Sequence, residues 1–421
     1  MNKNIITTIL ACYFFTFLIS NLKLAYDRYS VQFLAIGVLN LISFGYLFTR
    51  FSFKEFIDAT YNSKPVLYYS GFILMSILSI SVANNKVEAL IIISQYLSFF
   101  FIFQIINFIN HKSKIDFIKL FISFCIVSIT IESLFIFYLV ASDIFVNEKE
   151  FTRSIVYSGF AANNNIAAFS LVVKSPILIF KIIKEQKKLN KALLLSILFI
   201  VIFCLLSLLS RGAILAFLFS ITSILIISIL YKMKKVFSSA IIISLTVAIG
   251  YILSSQILNN SSKTNLIDER ISSIEITTDD QSFNERLRYY NAAIQSIYQN
   301  PILGIGVGNW KIESIKYDSQ SIKGYRIPFH AHNDFLQVGA ESGIIALSFL
   351  MMFLFYPFFR LLKTLYNRQN IKNIIYFTLL VSLSVFIFDA LINFPISRPI
   401  SHIYLLFLIM ALTNINRYNE G

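Results

Sequence analysis

The sequence predicts an all-α, polytopic membrane bundle of about twelve transmembrane helices, with one large loop, residues 256–332, on the outer side. Three observations carry this expectation. Hydrophobic side chains make up 57% of the 421 residues and charged ones 14%, whereas soluble domains hold roughly 45–50% apolar and about 25% charged residues. The apolar residues fall in repeated blocks of roughly 18–25, the length that a helix rising 1.5 Å per residue needs to cross a ~30 Å hydrocarbon layer. The basic residues collect between those blocks and favour alternate connections, as the positive-inside rule requires of a multi-pass protein.

Taken in order, the blocks are 4–21, 31–49, 65–83, 87–109, 117–141, 159–180, 192–209, 212–231, 236–255, 333–359, 374–392 and 399–414. The first has the charge and hydrophobicity of a signal peptide but no small-x-small cleavage site, so it is read as a retained helix. With the N-terminus cytoplasmic, twenty Lys and Arg fall on that side: Lys3, Arg417 and the segments 50–64, 111–119, 181–191, 231–235 and 360–372. The short loops opposite carry seven. Both termini are therefore expected in the cytoplasm, and residues 256–332 outside. The formal charge of +14 is read as topology signal and contact with anionic lipid, and no nucleic-acid partner is expected. Cys12, Cys125 and Cys204 lie inside apolar blocks and read as small buried hydrophobes, without disulfide or metal spacing. No repeat or soluble domain stands out, so residues 1–421 are read as a single transmembrane domain with the loop inserted between spans nine and ten.

The loop divides in two. Its first part, 259–282, is polar and is read as mobile. From Phe283 to Gln299 the apolar residues recur at helical spacing, and Phe283, Leu287, Tyr290, Ile294 and Ile297 would line the face laid on the membrane or on other spans. Asn300-Pro301 should end that helix, since proline cannot continue the hydrogen-bond ladder.

Polar groups stand out against this background. Arg211, in the turn from Leu208 to Ala213, must lie near the outer interface, because a cation in the hydrocarbon costs at least ~2.5–3.5 kcal/mol unless paired. It is either a snorkelling hairpin arginine or a guanidinium aimed at an anionic headgroup such as a pyrophosphate. Arg286 and Arg288, two apart on a helix, point to different faces, so only one is expected in a site. Gly304, Gly306 and Gly308 follow no strand and lack the dinucleotide spacing; they read as a tight turn that brings Trp310 onto the membrane surface. His330, His332, Asn333 and Asp334 precede span ten, where an interfacial histidine can take a proton near neutral pH and a neighbouring Asn or Asp can fix its tautomer. A metal is not expected there, since no further His or Cys is near in the sequence and Asp279-Asp280 reads equally as solvated loop. Asn163, Asn164 and Asn165 are helix-start chemistry first and a sugar contact second. Asp389 and Asn393 share a helical face, either as a polar contact at a site or as structural hydrogen bonding, and Arg398 follows Phe394-Pro395. Glu132, in mid-span, has no account in the sequence.

In this order the pieces resemble the O-antigen ligase and O-antigen polymerase family of bacterial membrane glycosyltransferases, over roughly residues 155–400. They are the Gly159-x-x-x-Asn163-x-Asn165 start of span six, the Ser210-Arg211-Gly212-Ala213 turn, Arg286 with Tyr290 and Ala292-Ala293, Asn300-Pro301-x-x-Gly304-x-Gly306, and His332-Asn333 followed by Gly343. The resemblance implies a C-type glycosyltransferase-like fold in the bacterial inner membrane. It implies transfer of a glycan, at the periplasmic face, from an undecaprenyl-pyrophosphate carrier to an acceptor such as lipid A-core. It also implies catalytic roles for Arg211, Arg286 and His332, and substrate contacts for Arg288, Asn333, His330, Asn163, Asn165 and Arg398. No cofactor or metal is expected, because arginines would balance the leaving pyrophosphate. Tyr290 replaces the family's usual tryptophan, and Ala346 stands where a ligase more often has Gly, Thr or Val. These departures leave repeat-unit polymerisation and protein glycosylation open beside the ligase reading. A flippase or transporter would instead show charged or broken helices near the midplane and paired repeats.

Overall fold

A computed structural model describes residues 2–21, 28–113, 115–161, 163–230, 234–262, 281–318, 328–366 and 374–414. Residues 263–280, with Asp279-Asp280 and most of the stretch read as mobile, lie outside them, as do Arg417 and parts of the basic segments 231–235 and 360–372. The described residues hold fifteen helices and no strand. They are α1 Lys3–Phe14, α2 Arg28–Phe48, α3 Phe53–Tyr61, α4 Lys64–Leu78, α5 Lys86–Lys112, α6 Phe117–Ala141, α7 Asn164–Lys184 and α8 Lys188–Ser207. There follow α9 Arg211–Leu230, α10 Lys234–Asn260, α11 Gln281–Gln299, α12 Trp310–Asp318, α13 Asp334–Tyr366, α14 Ile374–Ile392 and α15 Pro399–Thr413.

Every apolar block of the sequence is a helix. Nine helical runs among the described residues are long and apolar enough to cross a membrane, and Arg211–Ile227 and Pro399–Thr413 are shorter apolar helices. The first block is α1 continued by a 3₁₀ turn over Thr16–Asn21. The chain is a multi-pass membrane protein. The sequence reading passed over α3, a nine-residue helix started by a capping box in which Ser52 and Glu55 bond reciprocally, a device that satisfies two orphan amides. Cys125 and Cys204 are buried as expected, but Cys12 is exposed, because α1 turns that face outward.

α7 and α14 are the most enclosed spans and pack against each other, while α13 runs along α4. A methyl group on Gly71 of α4 would come within 2.6 Å of the Phe349 ring of α13, so glycine sets the closeness of that pair. The loop is seated on the bundle by a side chain and a backbone amide. Asn309 accepts from the Asn85 amide at 2.7 Å, and the Val307 amide donates to Ser79 Oγ at 3.0 Å. α13 kinks at Gly343, where φ is +84° and a Cβ would stand 1.9 Å from the Ile302 carbonyl oxygen. Ile344 N donates to Pro301 O at 2.8 Å and Ile305 N to Ala340 O at 2.9 Å. The glycine turn thus closes on a helix kink.

One expectation about the loop is corrected here. Trp310 is fully buried, not at the membrane surface: it anchors a small second core with Ala292, Ala293, Ile305, Ala331 and Ala340. On α11, the buried face is Ala292, Ala293 and Ser296, whereas Phe283, Leu287 and Ile294 stay exposed. Small residues let this helix approach α13 closely, where Ile297 packs beside Gly339 and onto the second core.

Glu132 now has an explanation. It pairs with Lys174 of α7, Nζ to Oε1 at 2.5 Å, and both side chains are at most 5% exposed. Ser128 donates to Oε1 at 2.5 Å, Ser170 to Oε2 at 2.6 Å, and the ammonium also donates to Ser170 Oγ at 2.8 Å. Complete satisfaction makes the pair tolerable in a hydrocarbon environment, where removal of one partner strands the other. Lys174→Met alone is therefore expected to lower stability in detergent by about 3–5 kcal/mol, and Glu132→Gln with Lys174→Met together by much less. Thermal unfolding of both single variants and the double variant checks this; a double loss equal to the sum of the single losses would show that the pair is not coupled.

Candidate functional site

The site gathers at the end of the bundle where α13 and α15 begin, α14 ends and α11 crosses over. α14 and α15 are joined by Asn393 to Arg398, a polar break held at two points. The Ile396 amide donates to Asp334 Oδ2 at 2.9 Å, and the Ile396 carbonyl lies 2.6 Å from His402 Nδ1. A carbonyl can only accept, so Nδ1 carries the proton and Nε2 accepts from the Tyr69 hydroxyl at 2.8 Å. His402, buried and stacked on Phe99 at 4.1 Å, is thus a neutral structural imidazole.

This break presents Phe394. His330 stacks on its ring with centroids 3.9 Å apart, His332 meets it at 5.1 Å and 83°, and the Arg398 guanidinium lies 4.0 Å from the ring centroid. Arg398 is 8% exposed and donates to the Tyr29 hydroxyl.

The two histidines are held differently. His332 adopts φ +54°, a left-handed conformation that histidine tolerates better than most residues. Its carbonyl accepts from the Tyr290 hydroxyl at 3.1 Å, and the same hydroxyl reaches Leu391 O at 3.0 Å. One phenol of α11 therefore bridges the histidine backbone and the end of α14. Asn333 caps α13, its Oδ1 accepting from Leu336 N at 3.0 Å, and the Ala331 amide donates to Gln337 Oε1 at 3.1 Å. The Nδ1 atoms of His330 and His332 are both buried without a hydrogen-bond partner.

Neither imidazole titrates near neutral pH, contrary to the sequence expectation. Burial, then Arg286 and Arg398, push His332 from 6.5 down to about 4. Burial, then Arg398 and His332, push His330 down to about 3. Both are neutral at pH 7, so the positive charge of the site resides on arginine, which stays ionised when buried.

Arg286 is the arginine of α11 whose charge reaches this cluster, acting on His332, on Tyr290 and on Asp389. The Arg288 guanidinium lies over the Tyr289 ring at 5.6 Å. Arg211 is the first residue of α9, half-buried after a turn in which Leu209 takes φ +52°. A Cβ on Gly212 would meet Ile392 at 2.8 Å, so the start of α9 abuts the end of α14, next to Asn393. Asp389 is buried in that corner and accepts from Asn393 Nδ2 at 2.7 Å.

The asparagines of α7 perform helix-start work. Asn163 is exposed and caps the helix, accepting from Asn165 N at 2.8 Å; Asn164 is buried and donates to Ser154 O at 3.1 Å. Asn165 is half-buried beside them. The structure thus assembles His330, His332, Arg398 and Arg286 around Phe394 and Tyr290, and sets Arg211 on an adjoining helix start. The sequence reading missed Phe394 itself, Tyr289, which lies nearly parallel to His332 at 6.3 Å, and Gln337. The signal for Phe394 was the polar, proline-containing break between two apolar blocks. Among the described residues no group of three or more His, Cys, Asp or Glu is placed to hold a metal ion.

The family model described as O-Antigen ligase matches residues 196–351. That stretch runs from within α8 to within α13 and includes Arg211, Arg286, Arg288, His330, His332 and Asn333; Asn163, Asn165 and Arg398 lie beyond it. No curated protein matches the chain. Over that segment, which carries Arg211, Arg286 and His332, the chain is similar to the O-antigen ligase family.

Proposed function

We propose that this protein is a periplasmic-face glycosyltransferase of the inner membrane. It moves a glycan from an undecaprenyl-pyrophosphate carrier to the hydroxyl of a surface-glycan acceptor, in the manner of an O-antigen ligase. The observation that carries the reading is the half-buried His332 set with Arg398 around the Phe394 ring, within reach of the charge of Arg286 and next to the helix start that bears Arg211.

The chemistry follows from the leaving group. As the bond from C1 to the pyrophosphate oxygen breaks, negative charge grows on that oxygen. Guanidiniums at Arg211 and Arg286 oppose it, and a partly desolvated site makes such stabilisation worth more than in water. The acceptor oxygen attacks C1 from the opposite face, which inverts the anomeric configuration. In the tautomer protonated at Nε2, the unpartnered Nδ1 of His332 takes the hydroxyl proton. Burial first, and then Arg286 and Arg398, keep His332 unprotonated at pH 7, the state in which it can accept a proton. Asn333 and Tyr290 position it through the backbone.

Arg211→Ala, Arg286→Ala and His332→Ala are each expected to leave folded protein in the membrane and to reduce transfer at least ~10²-fold, the usual cost of a lost transition-state contact. Arg288→Ala should keep most of the activity. Gel analysis of glycan transferred by purified variants checks this, and full activity in Arg211→Ala would remove the pyrophosphate role. The pH profile gives a second check. A base is active when unprotonated, so the rate should hold down to about pH 5 and fall through about 4, where His332 titrates; an acid limb near 6.5 would contradict the assignment. Transfer should also persist after dialysis against EDTA, since arginine charge replaces a divalent ion; loss restored by Mg²⁺ would count against it.

A further inference from the structure

Beside Phe394 opens a cavity of about 210 Å³. His330, Phe394 and Arg398 line it, but Arg211, Arg286 and His332 do not. It is smaller than the roughly 300–1,000 Å³ clefts that take drug-sized ligands, so it suits one small ring rather than a chain.

The lining states what kind of ring. Two cations and two carboxylates face the cavity: Arg398 and Lys311, Glu88 and Glu341. Lys311 is spent on Glu88 at 2.7 Å, and Arg398 donates to the Tyr29 hydroxyl. A second phosphate would meet the carboxylates as well as the cations, so the charge balance selects against an anion. Tyr96, Phe99, Phe329 and Phe394 supply aromatic surface, and Gln95 and Gln337 supply amides that both donate and accept. The buried Nδ1 of His330 has no hydrogen-bond partner, and such atoms are normally satisfied. Apolar faces with alternating donors and acceptors at the edge match a pyranose, which has C–H faces and a rim of hydroxyls.

We propose that this cavity binds one neutral sugar ring of the acceptor glycan, with His330 and Gln95 as hydroxyl partners. The inference rests on the glycosyltransferase reading above and extends it: Phe394 becomes the wall shared by the acceptor sugar and the His332 side, where the anionic carrier would be held. His330 acts here as a recognition group and not as the base.

The test is binding to the full-length purified protein without carrier, by saturation-transfer NMR. The probes are the methyl glycosides of glucose, galactose, mannose and rhamnose, methyl glucuronoside, and inorganic pyrophosphate. At least one neutral glycoside is expected to bind. Gln95→Leu should weaken it about tenfold, the worth of one lost hydrogen bond, and Phe329→Ala should weaken it comparably while altering only an exposed side chain. Arg211→Ala should leave it unchanged, and pyrophosphate should not compete. Binding of none of the neutral glycosides, preference for the glucuronoside, displacement by pyrophosphate, or retention of affinity in both cavity variants would each overturn the proposal. Because no transfer is required, this result is independent of whether the Arg211 and His332 variants lose activity.

Discussion

The ring of Phe394 is the piece on which the polar end of this bundle is assembled. It is bounded by an imidazole at 3.9 Å, a second imidazole at 5.1 Å and a guanidinium at 4.0 Å. Its own position depends on a short break between α14 and α15, where Pro395 cannot continue the α-helical ladder and the chain makes a 3₁₀ turn over Pro395–Ser397. In a membrane protein such a break survives only if its backbone groups find partners, and Asp334 and His402 provide them. Burial, reinforced by the neighbouring guanidiniums, then holds both imidazoles neutral. Packing, backbone satisfaction and electrostatics are thus one arrangement.

The same constraint governs the rest of the molecule. Charge inside the spans is either cancelled in place, as with Lys174 and Glu132, or pushed to helix ends, as with Arg211 and Arg398. The loop is anchored both by hydrogen bonds to the bundle and by the buried Trp310, Ile305 and Val307. Its glycines exist to let Gly343 and the 301–306 turn close on each other, and Tyr290 ties α11 to both α13 and α14. Leu287 and Ile294 are exposed on the outer face of α11, while the charge of Arg286 on the same helix reaches His332.

Much of this was legible in the sequence because the bilayer imposes a length and a polarity rule on every span. The twelve apolar blocks, the end of α11 at Asn300-Pro301 and the architectural glycines follow from local pattern, whereas Arg286 and His332 were singled out together by the family resemblance. What escaped was non-local. Lys174 hides in an apolar block and makes sense only against Glu132, forty-two positions earlier. Trp310 looks interfacial by type, yet the alanines that bury it come from two other helices. The depressed basicity of the histidines comes from burial and from arginines elsewhere in the chain, which spacing does not reveal. Phe394 carried no motif.

The central claim is that the glycan leaves its carrier by substitution at C1, with Arg211 and Arg286 receiving the pyrophosphate. It is tested most directly by reconstituting the protein in liposomes with labelled undecaprenyl-pyrophosphate glycan and acceptor, and counting undecaprenyl pyrophosphate released per new glycosidic linkage. One carrier released for each linkage formed is the result this account requires. Intact carrier-linked glycan moved across the bilayer with no pyrophosphate lipid released would contradict it and identify a transporter instead.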